Sequence, residues 1–140
     1  MPHYIDELKP GMSSSLEKTV TERDVELFGE VSGDLNPVHF DEQYARKTIF
    51  RGRIAHGMIS LSYISTVLGM QMPGPGTIFM SAGSRFKGPV RIGDTVVTTC
   101  TVREVVQEKR RVLFDCICKV GDNVVVEGEA LVMAPARPKE

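Results

Sequence analysis

The 140-residue chain predicts an α+β fold in which a curved antiparallel β-sheet wraps around a buried central helix. Two observations carry this. Residues 56–72 (HGMISLSYISTVLGMQM) are apolar around nearly the whole helical circumference, and such a helix has to be surrounded. The back half then supplies four β-rich segments, and an antiparallel sheet has one face to offer a helix. No repeat, low-complexity tract or interior linker appears, so one domain over 1–140 is expected. The alternative is a sandwich with the helices laid as a layer on the sheet.

The front half reads helical. Thr21, with Asp24 three residues on, forms a weak capping-box pattern. Val25, Phe28 and Val31 follow at helical spacing, and Gly33 is a plausible stop. A short second helix is expected from an Asp41 N-cap through EQYARK. The third is 56–72, too short to cross a bilayer. Its Ser60, Ser62, Ser65 and Thr66 need partners inside. Strands are expected at 76–87, 94–108, 111–120 and 124–133, the last two joined by the Gly121-Asp122-Asn123 turn. Val112, Phe114, Cys116, Cys118 and Val120 share one face of their strand. Gly128 and Ala130 in the final strand are small enough to admit a helix.

Composition narrows the function. A net charge of −1 argues against nucleic-acid binding. The absence of a long apolar run argues against a membrane span. Three cysteines do not form a disulfide framework, which points to the reducing cytoplasm. Cys116 and Cys118 lack zinc spacing and read as core, so no metal or other cofactor is expected.

The informative stretch is VSGDLNPVHFDE, residues 31–42. Asn36-Pro37 initiates a stiff turn flanked by Asp34 and His39. A carboxylate beside an imidazole can position a water and carry its proton. His56-Gly57 stands where the buried helix should begin. First-turn N–H groups lack intrahelical partners, and Gly57 does not shield its own, so a carbonyl gaining negative charge would be stabilised there.

VSGDLNPVHFDEQYA resembles the hydratase signature of the MaoC-like hot-dog family, with its S/T-G-D-x-N-P-x-H core. RIAHGMISLSYISTVLG and SRFKGPVRIGDTV resemble its central helix and the strand that follows. The resemblance spans roughly residues 8–133 and is greatest to the (R)-specific enoyl-CoA hydratases. It implies a catalytic pair, Asp34 and His39, that adds water to a trans-2-enoyl thioester. It implies an orienting role for Ser65, loop support from Asn36, and the Gly57 N–H as the thioester oxyanion donor. Arg85, Lys87 and Arg91 are candidates for the phosphates of coenzyme A. The expected partners are an acyl-CoA substrate and a second copy of the chain, as a homodimer. A dehydratase acting on CoA or acyl-carrier-protein substrates remains open. So does a non-catalytic acyl-thioester-binding subunit, although Asp34 and His39 together weigh against it. Acyl length and pathway, whether polyester (polyhydroxyalkanoate) precursor supply or fatty-acid oxidation, stay open.

Overall fold

The computed structural model describes residues 1–139. Strands β1 (Ser13–Thr19), β2 (Ile78–Phe86), β3 (Thr95–Val106), β4 (Arg111–Val120) and β5 (Asn123–Met133) form one antiparallel sheet in the order β1-β3-β4-β5-β2. Against it lie helices α1 (Glu22–Ser32), α2 (Pro37–Phe40), α3 (Glu42–Arg46) and α4 (Gly57–Thr66). A π-helical turn, Val67–Gln71, continues α4. This is the hot-dog arrangement.

The sheet's inner face follows from strict alternation. Val96, Thr98, Cys100 and Val102 of β3 are buried, as are Val112, Phe114, Cys116 and Cys118 of β4. In β5 the alternation slips at a bulge opposite Cys118/Lys119, so Val125 and Val126 are both buried. From α4 and its extension, Ile59, Tyr63, Ile64, Val67 and Leu68 complete the core. Two of the four helix hydroxyls turn back on their own helix: Ser62 Oγ donates to Ile59 O and Thr66 Oγ1 to Ser62 O.

Four expectations need correction. β1 lies in a half that reads helical. It is a serine-rich edge strand with little buried on either face, so it shows no apolar alternation; cross-strand hydroxyl pairs such as Ser15–Thr99 join it to β3. Val31 is exposed. Two steps of three residues carry it about 120° round the helix from Val25, and Phe28 and Gly29 take the inner face instead. Gly128 makes room for a strand, not a helix: a Cβ there would lie 2.8 Å from Ser84 Cα. Finally, α4 is wrapped on one side only. Met58 is 53% exposed and Met70 70%, and the neighbouring edge strand β2 exposes Ile78 (56%) and Phe86 (55%).

Candidate active site

The turn between α1 and α2 is built by short side chains. Gly33 ends α1 at φ 76°, a left-handed value that glycine takes without strain, and donates its N–H to Gly29 O. Ser32 Oγ accepts the Asp34 N–H at 3.0 Å, Asp34 Oδ1 accepts the Asn36 N–H at 3.2 Å, and Asn36 Oδ1 accepts the Val38 N–H at 3.2 Å. Pro37 then opens α2 at its first position, where its missing N–H costs nothing. The stiff turn is therefore a capped single helical turn, with Asn36 as the cap and His39 near its end.

His39 is buried, and its Nδ1 lies 2.8 Å from Ile54 O. A carbonyl only accepts, so Nδ1 carries the proton and Nε2 keeps its lone pair. Burial pushes the His39 pKa below the ordinary 6.5. The Ile54 bond and the Asp34 charge oppose this, while His56 and Arg53 reinforce it. His39 is thus neutral near pH 7, the form a general base needs.

His56, which the sequence marked only as the residue before Gly57, belongs to the same cluster. Its ring stacks on His39 with centroids 3.9 Å apart, and Phe28 and Phe40 enclose it at 4.8 and 5.7 Å. Its Nε2 donates to the Asp34 backbone oxygen at 2.9 Å, and its buried Nδ1 has no partner among the described residues. His56 therefore ties the Asp34 turn to the start of α4. No hydrogen bond joins the Asp34 carboxylate to His39 among the described residues. Ligand atoms of Asp34, His39 and His56 all lie within 4.8 Å of one another. A water bonded to two partners at about 2.8 Å and a near-tetrahedral angle spans about 4.5 Å, so the spacing suits a shared water.

Beside this cluster opens a cleft of about 490 Å³, lined by His39, Phe50, Gly57, Ser60, Phe86 and Lys87 among others. It is mostly apolar with a few polar groups, as substrate clefts are. Gly57 is the first residue of α4, so its N–H has no intrahelical acceptor. A Cβ on Gly57 would sit 2.6 Å from Phe86 Cε1, so glycine there keeps the cleft open.

A family model described as "MaoC like domain" matches residues 7–128. The chain belongs to the MaoC-like family. It is 53% identical over 135 residues to an (R)-specific enoyl-CoA hydratase of Rhodospirillum rubrum, covering 96% of this chain and 94% of that one. It is 44% identical over 134 residues to a 3-hydroxybutyryl-CoA dehydratase of Methylorubrum extorquens, covering 96% and 85%. The solved R-hydratase PhaJ1 of Pseudomonas aeruginosa, unliganded, superposes with a TM-score of 0.91 at 40% identity, over 97% of this chain and 88% of that one.

Within this MaoC-like chain the remaining expected site residues separate. Ser65 does not reach the cleft: it is exposed on α4, and the serine on the cleft wall is the buried Ser60. The helix bears both serines, and five residues apart they occupy different faces, a distinction that needs the packed sheet to resolve. Lys87 lines the cleft and pairs with Glu127 at 3.5 Å. Arg85 is exposed and lines a different hollow, with Arg103 and Asp115. Arg91 is half-buried, and its guanidinium donates to Phe50 O and Arg53 O, fixing the 50–53 segment.

One positioning residue escaped the sequence reading. Arg53 donates Nε–H to His39 O at 2.7 Å and grips both carboxylate oxygens of Glu22 at 2.7 Å. Ile54 N–H donates to Val38 O at 3.2 Å while Ile54 O accepts from His39. Residues 53–54 thus hold α2 through backbone and side chain, and Glu22 anchors the grip to α1.

The Asp34–His39–His56 group has the composition of a cation site but not the geometry of one. Imidazole lone pairs lie in the ring plane, and two stacked rings project theirs side by side rather than toward one ion.

Proposed function

We propose that the chain is an (R)-specific enoyl-CoA hydratase, acting in a single MaoC-like domain. The observation that carries this is a neutral, oriented His39 beside the Asp34 carboxylate, at the wall of a cleft that Gly57, the first residue of α4, also lines. Asp34 and His39 hold one water. As its oxygen bonds to C3 of the trans-2-enoyl thioester, His39 Nε2 takes a proton from it. The electron pair of the C2–C3 double bond moves toward the thioester carbonyl, whose oxygen the Gly57 N–H stabilises. The proton returns to C2 and the (R)-3-hydroxyacyl thioester forms. One water supplies both added groups, and the reverse path is the dehydration named for the Methylorubrum relative. No metal or redox cofactor is required by this balance.

We also propose a homodimer in the cytoplasm. The open side of α4 and the apolar edge strand β2 are continuous with the cleft through Met58 and Phe86, so a second copy seated there would close the cleft's mouth. Three free, buried cysteines fit a reducing compartment. Loss of absorbance at the enoyl-thioester band on adding protein to crotonyl-CoA, with chiral analysis of the product, tests the reaction. An (S)-product, or binding without hydration, contradicts it.

A further inference from the structure

Residues 46–53, RKTIFRGR, place four cations in eight positions of a chain whose net charge is −1. Two of the four are spent: Arg53 on Glu22, and Arg46 on Glu42 at 3.5 Å. Arg51 also borders a second hollow with Glu22 and Glu42, whose carboxylates are already paired with Arg53 and Arg46. Lys47 and Arg51 are exposed, and their side chains have no ion pair or hydrogen bond among the described residues. With Arg46, Thr48 and Ile49 they line a shallow hollow of about 710 Å³. Phe50, between Ile49 and Arg51, lines the catalytic cleft. The turn therefore connects the cleft wall to the hollow along the chain, and Arg51 and Lys47 stand one and three residues from Phe50.

We propose that the 46–51 turn is the rim that binds the phosphates of coenzyme A, with Lys47 and Arg51 as the contacting residues. This rests on the hydratase reading and adds to it the recognition of the substrate's carrier. The chemistry is that of a polyanion leaving an apolar slot: the acyl and pantetheine parts offer few charges, and the diphosphate and 3′-phosphate offer several. Arginine binds phosphate with a planar fork and lysine as a point charge. Lys47 and Arg51 differ from Arg85, which lines another hollow, and from Arg91, which donates to backbone carbonyls. Ile49, 90% exposed between the cations, gives the adenine ring an apolar surface.

The test compares crotonyl-CoA with crotonyl N-acetylcysteamine, which carries the same thioester without phosphate. Arg51 has φ 56°, a left-handed conformation that glycine takes freely, so Arg51→Gly removes the guanidinium without straining the turn. In Lys47→Glu/Arg51→Gly the ratio of kcat/KM for the CoA thioester to that for the short thioester should fall about tenfold or more, the effect of one charge-assisted hydrogen bond. Added salt should lower the parent's ratio as well. Lys18→Glu, an exposed charge reversal on β1, should leave it alone. Titration calorimetry of free CoA against parent and double variant reads the rim without catalysis, and the variant should bind about tenfold more weakly. An unchanged ratio with unchanged CoA binding overturns the rim. So does a drop confined to thioesters on an acyl-carrier protein, or a variant that changes oligomeric state. If the parent hydrates neither thioester, the hydratase reading fails, and the calorimetry alone decides the rim.

Discussion

At the scale of single residues, His39 is a base because of what surrounds it. Its proton is fixed on Nδ1 by Ile54 O, and burial keeps the ring neutral. Because the folded pKa lies below 6.5, the ring gains its proton only on acidification past that value. The acid limb of kcat/KM should therefore have its midpoint below 6.5, read from a pH–rate profile on crotonyl-CoA. A midpoint above it would contradict a His39 whose pKa burial lowers, whereas activity lost as pH rises through this range would mean that His39 works in its charged form. Gly57→Ala should push Phe86 into the cleft and lower kcat/KM by about tenfold or more. The loop motif was legible because Asp34, Asn36, Pro37 and His39 are consecutive in turn chemistry. His56's role was not, since it depends on a stack formed only when two distant segments pack.

At the scale of elements, α2 has only four residues and cannot hold itself. Arg53 and Ile54 hold it, and Gly29 lets it approach α1: a Cβ there would come 2.7 Å from Phe40 Cζ. Arg53→Met removes three charge-assisted bonds and should cost about 1–3 kcal/mol by urea denaturation; Glu22 is half-exposed, so the ion pair itself contributes little of this. The Glu22 carboxyl is held below its ordinary 4.5 by its bond to Arg53. The pair's stabilisation is then complete above that value and is lost as pH falls through the lower folded pKa. Glu22→Gln should flatten the stability loss in that acid window. Three of the four helices and four of the five strands were readable because periodicity or caps marked them. β1 was not, because an edge strand with hydroxyl side chains carries no burial signal, and α2 was not, because a single turn is shorter than any period.

At the scale of the whole molecule, the sheet has one buried face and an apolar edge. Where β5 meets β2 the backbones approach so closely that Gly128 is obligatory. Gly128→Ala should destabilise by at least the roughly 1–3 kcal/mol of ordinary overpacking, since the atoms in the way are backbone. The expectation of a fully wrapped helix came from its all-round apolarity, and the single chain does not meet it. The Met58 and Met70 side is open in the single chain, and the proposed second copy would cover it. Light scattering should report two copies, and a charge placed at Phe79 or Met80 on the β2 edge should lower that number.

The most direct measurement is the crotonyl-CoA hydration rate of folded Asp34→Asn and His39→Ala proteins beside the parent. If one water is held between this carboxylate and this imidazole, each variant should lose about two to four orders of magnitude in kcat with its fold intact by circular dichroism. Either variant turning over at the parent's rate would place the chemistry elsewhere.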